Sequence, residues 1–175
     1  MTHDRTRVLR ALFLCSLCWT TIGYAEVAVS VLSPEHTHEI FVEAARVSGY
    51  ALPDVLPEIR ILPLQQFIAE VCPEDPHHCP GALSLPGKPI LMSDVLNPEV
   101  AADRSYFVHE AVHTLQYHAK QIADLETLPC EDMLALEREA YYAQQRYLDR
   151  NGQLLRVTHK VYRMGCDHNS TLSFW

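Results

Sequence analysis

Three observations in the sequence predict an α+β fold. A long amphipathic helical pattern runs from about Ala102 to Ile122, and a second from about Glu131 to Arg150. Short β-type runs at Glu58–Leu64, Ala82–Leu85 and Ile90–Met92 precede both. The chain's eleven Pro and six Gly imply many breaks, which excludes one long helical array. The expected architecture is two long helices packed on a small, mainly antiparallel sheet.

The elements follow in chain order. Arg5, Arg7 and Arg10 precede an apolar stretch from Ala11 to Ile22, and Gly23-Tyr24-Ala25 places small residues before a cut after Ala25. This is the pattern of a secretory signal peptide. The stretch is shorter than the roughly 20 apolar residues of a transmembrane helix, so an uncleaved anchor is the competing reading. The expected organisation is therefore a leader at residues 1–25 and one domain at 26–175. It implies a secreted or periplasmic protein with no stable membrane span after cleavage.

Ser33-Pro34-Glu35 is a helix start: a capping hydroxyl, Pro at the first helical position and an acid in the first turn. Ile40, Phe41, Ala44, Ala45 and Val47 form its apolar face, and Gly49 ends it. In the strand after Pro57, Ile59, Ile61 and Leu64 are expected inward, and Gln65–Val71 reads as a helical turn. Pro86-Gly87-Lys88-Pro89 joins the next two strands as a turn. Asn151-Gly152 stops the last long helix. Leu154–Tyr162 fits a strand or a helix equally.

Composition narrows function. Hydrophobic residues are 48% and charged residues 21%, as in ordinary globular chains. The formal charge of −8 excludes a phosphate-backbone tracker as the default, so no nucleic-acid partner is expected. Without its leader the chain keeps Cys72, Cys79, Cys130 and Cys166. An even count in an exported chain reads as two disulfides, with three possible pairings. Cys72–Cys79 is favoured because it closes a short loop, which leaves Cys130–Cys166. A Cys/His metal site at Cys72, His77, His78 and Cys79 competes, without a Cys-x-x-Cys pair to support it.

The chemistry lies in His109-Glu110-Ala111-Val112-His113. Residues four apart stack on one helix face, so two imidazoles can share a Zn2+ ion. The intervening Glu lies about 100° round the helix, where it can flank the ion and accept a proton from its water. Chance would produce this pattern about 0.04 times in a chain of this composition. Val108, Val112, Leu115, Ala119 and Ile122 form a core stripe, and Tyr106, His109, His113 and Gln116 lie on a neighbouring face. A third ligand is available on the second helix. Glu137 shares its face with Leu134, Ala140, Tyr141, Gln144 and Leu148. Glu139 shares a solvated face with Ala135, Tyr142, Arg146 and Arg150. A carboxylate on an apolar face needs a cation, so Glu137 is preferred. His118 and the pair His36 and His38 read as surface residues.

The motif, followed 24 residues on by Glu137 in Glu137-Arg138-Glu139-Ala140, resembles the gluzincin group of zinc metallopeptidases. Thr114-Leu115-Gln116 after the second His is similar to small bacterial proteins carrying the same motif. The resemblance spans about Ser105–Leu148. It implies a zincin-like fold, zinc held by His109, His113 and Glu137, Glu110 as general base, and a peptide or protein substrate. By analogy, the strand Ile90–Ser93 would line the cleft as the edge that pairs with substrate. The chain departs from the pattern at Tyr141, where some branches place an Asp that supports a His ligand. Tyr141, Tyr142, His159, Tyr162 and His168 are the candidates for stabilising an oxyanion. Two alternatives stand beside the peptidase: a catalytically inactive zincin-like binding or structural protein of the envelope, and a metal-free helix interface.

Overall fold

The computed structural model describes residues 29–166 and, as backbone, residues 172–174. The leader at 1–25 and His168 lie outside the described residues. The elements are β1 (Ser30–Val31), α1 (Pro34–Ser48), β2 (Ile59–Leu62), α2 (Leu64–Val71), β3 (Ala82–Leu83), β4 (Ile90–Ser93), α3 (Ala101–Lys120), α4 (Cys130–Arg150), β5 (Met164–Cys166) and β6 (Leu172–Phe174). Two 3-10 helices, Pro76–His78 and Thr158–Arg163, complete the set. The fold class is α+β, as the two pattern periods require.

The start and stop signals act as read. Ser33 Oγ accepts the His36 N–H at 3.2 Å. Gly49 closes α1 at φ +86°, and its N–H returns to the Ala45 carbonyl at 2.8 Å. That left-handed conformation is strained for any residue with a Cβ. Ile40, Phe41, Ala44 and Val47 of α1 meet Phe107, Val108, Ala111, Val112 and Leu115 of α3, with Ala140, Ala143, Tyr147 and Leu148 of α4. Each such Leu, Ile or Phe removed from water is worth about 1.5–3 kcal/mol. The α3 stripe overruns this core. Ala119 is exposed and Ile122 only partly buried, because the final turn extends past the elements that cover Val108, Val112 and Leu115.

The main sheet has the order β1-β2-β4-β3 and is mixed. Its two outer pairs are antiparallel, but the central β2–β4 pair is parallel. The expectation of a mainly antiparallel sheet is corrected here for a physical reason. Between Leu62 and Ile90 the chain passes through α2, the stapled loop and β3, a crossover long enough to return β4 in the direction of β2. Helix α2 also covers the sheet's second face, so Leu62 and Phe67 are buried while Leu64, expected inward, opens α2 and is exposed. Strand Ile90–Ser93 is interior, paired on both sides, and is not the expected edge. That edge is β3.

The C-terminal stretch is neither a strand nor an α-helix. Gln145 of α4 holds it: its Oε1 accepts the Val157 N–H at 2.9 Å and its Nε2 donates to the Leu155 carbonyl at 3.2 Å. The 3-10 helix then packs Val161 against the body. Both favoured disulfides are present, Cys72–Cys79 and Cys130–Cys166, with Cα separations of 5.6 and 5.9 Å. The first removes the thiolates that a Cys/His metal site would need. Among the described residues no helix is long and apolar enough to cross a membrane.

Candidate metal centre

Helix α3 carries His109, Glu110 and His113 in its buried middle, and α4 brings Glu137 alongside. The two imidazole Nε2 atoms lie 3.1 Å apart. Glu137 straddles them, with Oε2 at 3.5 Å from His109 Nε2 and Oε1 at 3.3 Å from His113 Nε2. All three side chains offer ligand atoms within 4.8 Å of one another. Bonds of about 2.0–2.1 Å in a tetrahedron space the ligand atoms about 3.3 Å apart, so the donor set fits an ion of that size. The helical phase that selected Glu137 over Glu139 is thereby explained. Leu134, Ala140, Gln144 and Leu148 on its face are buried, whereas Ala135, Tyr142, Arg146 and Arg150 are exposed.

The two histidines are held differently. His113 Nδ1 donates to Gln116 Oε1 at 2.9 Å. The Gln116 amide can point only one way, because its Nε2 donates to the Leu136 carbonyl at 3.0 Å and to Glu139 Oε2 at 2.9 Å. The proton of neutral His113 is therefore on Nδ1, and Nε2 presents a lone pair to the centre. Glu139 is anchored in turn by Lys120 at 3.2 Å and by the Tyr50 hydroxyl at 2.6 Å. Glu139 is thus exposed, as its helical face suggested, yet it holds the second layer behind His113. By contrast, His109 Nδ1 is buried without a hydrogen-bond partner among the described residues. The Tyr141 ring lies against that imidazole, 4.5 Å between centroids. Tyr141, where the sequence departs from the motif it resembles, thus lies beside the candidate ligand that lacks a supporting bond.

Electrostatics follow from burial and proximity. Burial works against a charged His113, but Glu137 outweighs it and raises the imidazole pKa to about 9. Burial likewise opposes ionisation of Glu137, and His113 and His109 overcome it, holding the carboxyl well below the usual range. Glu110 is pushed up, first by burial and also by Glu137, against the pull of both histidines and a backbone hydrogen bond from Ser84. Tyr117 and Tyr141 are both raised by burial and by the two carboxylates, so their phenols stay protonated.

A cavity of about 570 Å3 opens onto these groups. Its lining is completed by Ala82–Ser84 at the β3 edge, the turn at His78, and the 3-10 helix at His159, Lys160 and Arg163. Tyr117 donates to the Ser84 carbonyl at 3.2 Å and is already committed. Of the oxyanion candidates, Tyr141 and His159 line the cavity, whereas Tyr142 and Tyr162 are exposed elsewhere. Sequence reasoning missed Lys160, Ser84 and the Gln116–Glu139 pair. Only Gln116 carried a readable signal, three residues beyond His113 on the same face. His118, His36 and His38 are exposed surface residues.

Comparison of the chain with protein-family models, with characterised proteins and with solved structures returned no match.

Proposed function

We propose that the protein is an exported metallohydrolase, most simply a zinc-dependent peptidase of gluzincin type with Glu110 as general base. The observation that carries this reading is the convergence of His109, His113 and Glu137 at the floor of a cavity, with Glu110 in the same buried patch. A neutral-nitrogen and carboxylate donor set of this kind suits Zn2+, which when bound would polarise a carbonyl and acidify water. The chain's own residues supply the rest. Gln116 orients His113, and His109 and Glu137 complete the ligand set. Glu110, with its raised affinity for a proton, takes one from water in the cavity and returns it to the leaving amine. The Tyr141 hydroxyl makes no hydrogen bond among the described residues and lines the cavity, so it is free to donate to a developing oxyanion. The β3 edge offers backbone groups to an extended peptide. Two disulfides are compatible with an oxidising compartment and support export.

The test pairs Glu110→Gln with a peptide-library digest and a metal assay. The variant should keep its zinc and lose hydrolysis. Unchanged turnover would sink the mechanism. The unsupported Nδ1 of His109 favours a second reading, a metal-binding envelope protein without activity. It predicts stoichiometric zinc and no cleavage by the wild type, with or without chelator.

A further inference from the structure

The cavity that holds the ligand set is also lined by two basic side chains, Lys160 and Arg163, in a chain whose formal charge is −8. Lys160 is half-buried. Its Nζ lies 5.4 Å from the centre of the Tyr106 ring and 5.5 Å from that of Tyr141. Neither Lys160 nor Arg163 has an ion pair among the described residues. A half-buried lysine without a carboxylate partner keeps its charge available to a ligand in the cavity. Burial lowers its pKa, and the distant charge of Glu137 only partly offsets that. Its position is fixed by construction. The Gln145 amide and buried Val157 and Val161 set the 3-10 helix, and the Lys160 N–H donates to the Val157 carbonyl at 3.0 Å.

Charge balance indicates what these side chains are for. With a divalent ion bound, ionised Glu110 and Glu137 cancel its two charges. Half-buried Lys160 and exposed Arg163 then remain uncompensated at the cavity lining, which favours an anion. The distance is also set. The Tyr141 ring has the His109 imidazole 4.5 Å away between centroids and the Lys160 ammonium 5.5 Å from its centre. The ammonium and the candidate ligand His109 are therefore neighbours of the same aromatic ring.

We infer that Lys160, aided by Arg163, forms a subsite for a carboxylate adjacent to the bond being cleaved. Resting on the hydrolase reading, this names the substrate class: peptides whose anionic group lies within about one residue of the scissile amide. The carboxylate is supplied either by a free C-terminus or by an acidic side chain. Charge-assisted pairing both selects such a substrate and fixes its register over the centre.

Binding is measured by calorimetry to the full-length, zinc-loaded Glu110→Gln protein, which removes turnover. The probes are N-acetyl-Ala-Ala, its C-terminal amide, and N-acetyl-Ala-Asp amide. A carboxylate should gain about tenfold in affinity over the neutral amide, the worth of one charge-assisted bond. Tight binding of the first probe alone identifies the C-terminal carboxylate, and tight binding of the third identifies a side chain. Lys160→Met should erase most of the preference while zinc content and affinity for the neutral amide stay unchanged. Arg163→Gln should reduce it less. Equal affinity for all three probes, no measurable binding of any, or a preference that survives both substitutions together overturns the subsite. Hydrolysis by wild-type protein is scored separately. A binding preference without cleavage retires the hydrolase reading and keeps the subsite. Cleavage of acid and amide alike, without a preference, does the reverse.

Discussion

The cavity lining has two parts of different construction. The α3–α4 wall consists of two helices of 20 and 21 residues whose apolar faces form the main core. It carries every candidate ligand and the proposed general base. The rest of the lining is assembled from a two-residue strand, a stapled turn and a 3-10 helix. Regular elements with buried faces hold side chains to within fractions of an ångström, which ligand convergence demands. Irregular segments tolerate substitution and are the usual place for selectivity. The ligand-bearing part is therefore expected to fail abruptly when altered, and the other part to fail by degrees.

The largest effect should come from the general base. Glu110→Gln is expected to lower peptide hydrolysis by about 10^2–10^4-fold, the usual contribution of acid–base catalysis, without lowering zinc stoichiometry. Kinetics with metal analysis on the same sample would check it. Glu137→Ala or His113→Ala should instead abolish binding, so that added zinc no longer raises the melting temperature. A retained zinc-dependent shift would show that the convergence is not a metal centre.

The disulfides provide the next contrast. Cys130–Cys166 joins residues 36 apart, and Cys72–Cys79 residues 7 apart. Loop-closure entropy assigns them about 4 and about 2.5 kcal/mol respectively. Denaturant melts of the paired Cys→Ser variants should rank in that order. The longer bridge ties the start of α4 to β5, directly after the basic 3-10 helix, so its loss should also loosen the wall that holds Lys160.

Smaller effects separate the two histidines. Gln116→Leu removes the acceptor for His113 Nδ1 and should weaken zinc about 10–100-fold, as loss of such supporting bonds generally does. Competition against a chelator would measure it. His109 has no equivalent bond to lose, so the asymmetry is directly testable. Metal-free protein should also respond to pH. The His113 pKa is raised above its unfolded value to about 9, so its stabilising contribution is complete below about pH 6.5 and is lost as pH rises towards 9. Glu137 is depressed, so its contribution is present above about pH 4.3 and is lost on acidification below that. Melting temperature without metal should peak between these limits, and saturating zinc should flatten the alkaline fall.

Much of this was legible in the sequence because it is local. Helix phase alone places His109 and His113 on one face, puts Glu110 to the side, and distinguishes Glu137 from Glu139. Capping at Ser33 and the stop at Gly49 depend on a few neighbouring residues. The disulfide pairing followed from loop length in a chain with four remaining Cys. Tertiary packing decided what depends on distant partners. The parallel β2–β4 pairing comes from the path of a crossover, which leaves no periodic trace. The cavity edge moved from Ile90–Ser93 to β3 because strand order is not encoded in strand propensity. Lys160 stands in an irregular segment after α4, and the Gln145 clamp, two buried valines and the Cys130–Cys166 bridge bring it to the cavity. The ligand set could be read from the repeat of the helix. The basic residues that share its cavity reach it only because the chain folds back.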